Sequence, residues 1–328
     1  MRILITGGAG YVGSACLRHV VSAGHDAIAY DDLSQGHRSA LEGVAPLVEG
    51  NILDTERLRK TLREFRADAV MHFAAATYVR ESVTQPDYYY RNNVQGTASL
   101  LEAMREEGVG RMLFSSTCAT YGWEVGDTIS ETTPQVPASP YARTKLAVEW
   151  MIEDFASAYG LGFTLLRYFN AAGASPDGRF GEDHRPETHL IPIVLQVAGG
   201  TRSGFEVYGD DFPTPDGTCI RDYVHVDDLA QAHRLAIEAT TDTTRDVFNI
   251  GTGRGQSVLE VIAACEKVSG RSIPYEIVPK RAGDPPRLVA DPSKLIESLG
   301  WKPDYLEIQK TIETAWEWHS RNPEGYAD

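Results

Sequence analysis

A tyrosine and a lysine four residues apart, Tyr141 and Lys145 in SPYARTK, could pass a proton to and from an alcohol if they share one helix face. A phenol starts near pKa ~10, so poising it near 7 takes about 3 units, or roughly 4 kcal/mol. Burial acts against that shift. One cation at ~5 Å supplies about 3 kcal/mol at an effective dielectric of ~20, which is marginal once desolvation is counted. A second positive charge beside Lys145 would suffice. The string GGAGYVGS carries a different chemistry. Gly7, Gly10 and Gly13 fit G-x-x-G-x-x-G, and Gly8, Gly10 and Gly13 fit G-x-G-x-x-G. Such a turn lets backbone N–H groups approach a pyrophosphate at a helix N-terminus. Asp31 lies 21 residues after Gly10, where an acid accepts both ribose hydroxyls of NAD and repels the 2′-phosphate of NADP. Arg38 lies close enough in sequence to keep NADP open.

These residues need a frame. Up to about residue 170, short apolar runs alternate with amphipathic stretches of helical length, the pattern of an α/β, doubly wound parallel sheet. The strand candidates are RILIT, DAIAY, PLVEG, DAVMHFA, RMLFSS and GFTLLRY. The glycine turn follows the first of them and opens a helix from Tyr11 to about Ala23. Ser115, Ser116 and Thr117 end the fifth, where ligands of such sheets bind. Ser139 or Pro140 starts a helix that carries Tyr141 and Lys145 to about Tyr159. Beyond Asn170 the rhythm breaks into ASPDGRFGEDHRPETH. The expected division is therefore a cofactor unit over 1–170, regained at about 222–250, and a smaller α/β substrate unit over 171–221 and 251–328.

Composition excludes several classes. A net charge of −15 repels a nucleic-acid backbone, so phosphate binding must come from local arginines and helix N-termini. Cys16, Cys118, Cys219 and Cys265 are widely separated with no C-x-x-C spacing, which argues against a zinc site or a disulfide framework, and no metal is expected. No apolar stretch approaches the roughly 20 residues of a membrane span, and the first strand leaves no room for a signal peptide. A cytoplasmic protein without a membrane partner is expected.

The motifs GGAGYVGS, DDLSQGHRS, FAAATYVRESV, NNVQGT, FSSTCATYG, SPYARTK, RYFNAAGA, PETHLIP, DGTCIRDYVHVDDLA, FNIGTG and RAGDPPRLVAD run almost end to end. Together they resemble the UDP-glucose 4-epimerases of the extended short-chain dehydrogenase/reductase family, whose fold is Rossmann-type. In that family a tyrosine takes the C4 hydroxyl proton while C4 gives hydride to NAD. The 4-keto sugar then turns over and receives hydride on its other face. The resemblance implies that Tyr141 is the base, that Lys145 tunes it and that Thr117 holds the reacting hydroxyl. It implies NAD contacts from Gly7, Gly10, Tyr11, Val12, Gly13, Asp31, Asn51, Ile52, Phe73, Ala74, Asn93, Ser115, Tyr141, Lys145 and Tyr168. It implies UDP-sugar contacts from Thr117, Tyr141, Asn170, His189, Leu190, Tyr208, Arg221, Arg281, Asp284 and Leu288. Two arginines can fork onto a pyrophosphate, and an aspartate can accept from ribose hydroxyls. The family also implies a homodimer, paired through one helix spanning Tyr88 to Met104 and another from Tyr141 onward.

Two departures stand out. Asn51 replaces a frequent Asp, and Thr77 replaces a frequent Lys, which leaves the tightness of NAD retention open. Related dehydratases and decarboxylases place acids directly after the strand-end Thr, whereas this chain has Cys118 and Ala119. Cys118 reads as a buried thiol rather than a second base. UDP-N-acetylhexosamines and UDP-pentoses suit the same machinery. A non-catalytic dinucleotide-binding protein would not need the Tyr141 and Lys145 pair.

Overall fold

The computed structural model describes residues 1–122, 126–281 and 284–328. Its strands are β1 (Arg2–Thr6), β2 (Asp26–Asp31), β3 (Leu47–Glu49), β4 (Ala69–His72), β5 (Arg111–Thr117), β6 (Gly162–Tyr168), β7 (Asn170–Ala172), β8 (Phe205–Tyr208), β9 (Ile220–His225), β10 (Arg245–Ile250), β11 (Gly255–Ser257), β12 (Tyr275–Val278) and β13 (Arg287–Leu288). The helices are α1 (Tyr11–Ser22), α2 (Thr55–Phe65), α3 (Val79–Thr84), α4 (Pro86–Tyr89), α5 (Gly96–Glu106), α6 (Pro140–Tyr159), α7 (Leu190–Gly199), α8 (Val226–Ala239), α9 (Val258–Ser269), α10 (Ser293–Leu299) and α11 (Ile308–Arg321).

The main sheet is parallel with order β10-β6-β5-β4-β1-β2-β3. Its strands are apolar on both faces because helices cover both. Ile3 and Ile5 point into a core with Cys16, Leu17 and Val20 of α1 and Leu229 and Ala236 of α8. Leu4 points the other way, to Leu58 of α2, Leu100 of α5 and Ile152 of α6. The strand order reverses at β1, between β2 and β4, which opens a crevice at the carboxyl ends. The glycine turn stands in that crevice.

The remaining strands form two smaller sheets, β11-β9-β13 with β7 on β9, and β12-β8. A third core joins Val194 and Leu195 of α7, Val261 and Cys265 of α9 and Ile312 of α11. The return to the main sheet is made by α8 and β10, whereas β9 pairs only within the smaller sheet. The single helix expected from Tyr88 to Met104 is a composite: α4, a π-helical stretch over Tyr90–Gln95, then α5. The wider turn holds Asn93 inward, where its side chain bonds Ala76 and Thr144. All four cysteines are free thiols. Among the described residues no helix is long and apolar enough to cross a membrane.

Candidate active site

Three strand ends build the site. At the end of β1, Gly7 has φ +70°, and a Cβ there would sit 2.5 Å from Ala74 N. A Cβ on Gly13 would sit 2.1 Å from Gly7 O, so the packing of the turn against α1 excludes side chains at both. Gly10 differs. A Cβ there would meet only Gly7 O, at 3.4 Å, so its bareness keeps space open rather than relieving contact. Gly10 caps α1 without a side-chain hydrogen bond, and no acid lies in the first turn. The N–H groups of Tyr11, Val12 and Gly13 thus open a positive helix end to an anion, as a pyrophosphate requires.

At the end of β2, Asp31 is buried, with 8% exposure. The Ala9 N–H donates to its Oδ2 at 3.0 Å and the Leu33 N–H to its Oδ1 at 2.9 Å. Burial raises its pKa, and these two N–H groups oppose the rise. Each oxygen keeps a lone pair for a hydroxyl donor. Beyond it, an open cavity of about 450 Å³ is lined by Asp32, Glu49, Gly50, Asn51, Asp54 and Arg57. Asn51 donates from Nδ2 to Asp32 Oδ2 at 2.7 Å and accepts the Leu53 N–H at 2.9 Å. Ile52 is buried among core side chains and touches the Gly96 backbone of α5. Phe73 packs against the His233 ring at 5.1 Å, and the Ala74 N–H bonds Thr6 O at 3.1 Å. These fix the wall opposite the glycine turn. Thr77 is exposed on the loop that follows.

At the end of β5 stand the reacting candidates. Ser139 caps α6, accepting the Ala142 N–H at 3.2 Å, and Pro140 begins the helix without needing a donor. Tyr141 is therefore in the first turn, 9% exposed, with Thr117 beside it. Burial drives its phenol well above the ordinary value, Tyr168 adds to the rise, and the Thr117 hydroxyl opposes it. Lys145, one turn on, is 2% exposed and donates from Nζ to Ser115 O at 2.8 Å. Burial lowers its pKa to about 7, against the pull of Glu149. Ser115 Oγ and Tyr168 OH are 2.8 Å apart, and burial pushes Tyr168 up to about 12. Cys118 is likewise pushed up to about 12 by burial, so it stands as a neutral thiol.

Sequence reasoning missed what lies under this pair. Glu149, one further turn along α6, is 1% exposed and pairs with Arg167 on β6, with Nη2 to Oε2 at 2.5 Å and Nε to Oε1 at 3.0 Å. Ser116 Oγ and Gln135 Nε2 also donate to Glu149. Arg167 Nη1 reaches Tyr121 OH at 3.0 Å, and Tyr121 donates to Asn249 Oδ1 at 2.7 Å. Each charge is paired and hydrogen-bonded, as burial demands. The signal available was the extension of Y-x-x-x-K to Y-x-x-x-K-x-x-x-E on one helix face.

The smaller sheets bring up the remaining candidates. Asn170 starts β7 and is paired with Tyr223 on β9. Arg221 on β9 is fixed by Nη1 donation to Ile220 O and Pro285 O, at 2.8 and 2.9 Å. Arg281 lies over the Tyr208 ring at 3.4 Å, a cation–π contact that aligns its guanidinium. The Asp284 N–H bonds Arg281 O at 3.3 Å. Ala282 and Gly283 of the RAGDPPRLVAD motif lie outside the described residues. Leu288 on β13 is opposite Arg221 and packs with Cys118, Tyr121, Ile129 and Phe169, next to the end of β5. Leu190 begins α7 and packs on its core, while His189 caps that helix, half-exposed, with Nδ1 turned to Glu182.

A glycine turn at β1, a carboxylate at β2 and a Tyr–Lys pair at β5 on one parallel sheet define a dinucleotide-dependent enzyme of the short-chain dehydrogenase/reductase type. The chain belongs to the NAD dependent epimerase/dehydratase family, which it matches over residues 3–251. It is 49% identical to the UDP-glucose 4-epimerase of Lacticaseibacillus casei, covering 100% of this chain and 99% of that one. The crystal structure of UDP-glucose 4-epimerase from Brucella ovis in complex with NAD superposes with TM-score 0.94 at 48% identity, covering 97% and 98% of the two chains. That of the Bifidobacterium longum enzyme in complex with NAD+ and UDP gives TM-score 0.94 at 37% identity, covering 99% and 100%.

Proposed function

We propose that this chain is an NAD-dependent UDP-glucose 4-epimerase, which interconverts UDP-glucose and UDP-galactose by inverting the C4 hydroxyl. The observation that carries this reading is the meeting of Tyr141, Thr117 and Lys145 at the end of β5 in a chain matched end to end by 4-epimerases. Bound NAD supplies a hydride acceptor and a second positive charge. The open face at Gly10 and the α1 N-terminus fit its pyrophosphate, Asp31 its ribose, and Asn51 and Ile52 its base. Arg221 and Arg281 neutralise the UDP pyrophosphate, and Asp284 accepts from the uridine ribose.

Tyr141 takes the proton from the C4 hydroxyl and later returns it, while Thr117 orients that hydroxyl. Within the protein alone the Lys145 ammonium is turned to Ser115 O, and only the Thr117 hydroxyl opposes the rise in the Tyr141 pKa. The phenol is thus primed only when further positive charge reaches it, which ties proton abstraction to cofactor loading. No carboxylate follows Thr117, and Cys118 stays protonated, so the site lacks a base for elimination at C5. Turnover of UDP-galactose should proceed with no net build-up of NADH absorbance. Stoichiometric NADH would make the enzyme a dehydrogenase instead.

The position of Leu288 bears on the sugar. In the family it resembles, a bulky Tyr four residues after the aspartate matching Asp284 excludes an N-acetyl group, and a small residue admits it. Leu288 is intermediate, and its packing against Cys118 and Tyr121 sets it beside the Thr117 loop. The non-acetylated sugars should be preferred, with N-acetyl sugars turned over more slowly. Leu288→Ser should raise kcat/KM for UDP-N-acetylgalactosamine relative to UDP-galactose, and Leu288→Tyr should lower it, by about 10-fold or more. A ratio unmoved by either substitution removes Leu288 from the pocket.

A homodimer is the assembly we infer. Tyr88, Tyr90, Trp150 and Tyr159 are exposed on α4, the π-helical stretch and α6, the elements expected to pair. Light scattering at micromolar concentration should give twice the 36.0 kDa chain mass; a monomer refutes it.

A further inference from the structure

Between β7 and α7 the chain crosses the stretch Glu182-x-His184-x-x-Glu187-x-His189. One ligand atom from each of these four side chains lies within 4.8 Å of all the others. Glu182 is 3% exposed, and its Oε1 has no hydrogen-bond partner among the described residues. The buried His184 Nδ1 has none either. Yet His184 Nδ1 stands 3.3 Å from Glu182 Oε1 and 3.5 Å from Glu187 Oε2, and His189 Nδ1 stands 2.6 Å from Glu182 Oε1 and 3.3 Å from Glu187 Oε1. Donor atoms this close that are not aimed at one another converge on a common point. Glu182 Oε1 thus lies against two imidazole nitrogens without an aligned hydrogen bond to either, and a buried polar atom so left is costly. An ion held between these atoms would supply the bonds that the two imidazoles, at 2.6 and 3.3 Å, do not make in line.

We propose that Glu182, His184, Glu187 and His189 form a binding site for one divalent transition-metal ion of the zinc class. Bonds of about 2.0–2.1 Å in a tetrahedron give edges of roughly 3.3 Å, close to the 3.3 and 3.5 Å from His184 Nδ1 to Glu182 Oε1 and Glu187 Oε2. Two imidazoles and two carboxylates suit zinc and disfavour magnesium or calcium, which take oxygen ligands in larger number. Ligation displaces the imidazole protons, and the two carboxylates then carry −2, which a divalent ion cancels. The supporting bonds are present as well. Glu187 Oε1 accepts the N–H groups of Thr188 and His189, at 2.7 and 2.8 Å, which fixes the carboxylate and leaves Oε2 free. The His184 ring is held edge-on against Tyr11, at 6.3 Å, and Tyr78, at 6.4 Å. An ion here staples an eight-residue loop, and with it the N-terminus of α7, against Tyr11 of the glycine turn. Its role is to position the substrate-side loop rather than to touch the reacting sugar carbon.

Full-length protein stripped with a chelator and titrated calorimetrically with ZnCl2 should take up one ion per chain, and its Tm should rise on loading. His184→Ala, which removes a ligand, and Glu187→Gln, which keeps the shape of one, should each weaken uptake by about 100-fold or more. Co2+ loading of the wild type, which needs no variant, should give the intense visible band of a four-coordinate ion. Absence of Zn2+ and Co2+ uptake by the wild type overturns the site and leaves two imidazolium–carboxylate pairs in its place. Uptake unchanged in both variants, or a six-coordinate Co2+ spectrum, overturns it equally.

Discussion

Tyr141→Phe is expected to lower kcat by about 10² to 10⁴ while NAD content and UDP affinity stay near those of the wild type. The hydroxyl removed is the proton acceptor, while the ring keeps its place in the first turn of α6, where Pro140 and the Ser139 cap set the helix start. Burial and Tyr168 hold the phenol protonated in the protein alone, and Thr117 alone opposes them. The variant therefore loses a group that works only in the loaded site, and the defect belongs in kcat rather than in binding. A variant retaining more than a tenth of wild-type kcat would show that another group takes the proton.

The second large effect is on stability. Glu149→Ala leaves the Arg167 guanidinium, with a side chain 6% exposed, without its carboxylate and strips Ser116 and Gln135 of their acceptor. Breaking one side of a buried pair costs about 3–5 kcal/mol, because the remaining charge is stranded. With a specific unfolding entropy of about 2.1 cal/mol/K per residue, this chain has roughly 0.7 kcal/mol/K, so its Tm should fall by about 4–7 °C. Adding Arg167→Met removes the stranded charge and should recover part of that loss. A Tm shift under about 1 °C for Glu149→Ala, or a double variant worse than the single by the full cost of a second break, would contradict this account of the pair.

Much of this was legible in the sequence, for reasons that differ by element. The glycine turn and Asp31 are local: strand, turn and helix follow one another, and the next strand ends on the acid, so spacing alone places them together. Tyr141 and Lys145 share a helix face at spacing four, and the apolar runs of β1, β4 and β5 mark strands covered on both sides. Glu149 and Arg167 were not legible as a pair, because they meet only when β6 is laid beside β5 under α6. The π-helical stretch over Tyr90–Gln95 was hidden because its composition is that of an ordinary helix; the pull on Asn93 from Ala76 and Thr144 comes from outside it. The 182–189 cluster lies in a Gly/Pro-rich stretch with no periodicity, and its glutamates and histidines lack the paired cysteines that mark common metal-ligand spacings. Arg221, Arg281, Asp284 and Leu288 entered through resemblance, since nothing in their spacing brings β9 and β13 together.

The central claim is that C4 itself is oxidised and reduced on this protein, with Tyr141 moving only the hydroxyl proton. Proton NMR of UDP-galactose turned over by the NAD-loaded enzyme in D2O tests it most directly. The account predicts conversion to UDP-glucose with the C4 hydrogen fully retained, because it leaves and returns as hydride and never exchanges with solvent. Deuterium appearing at C4 of the product, or inversion at another carbon, would contradict it.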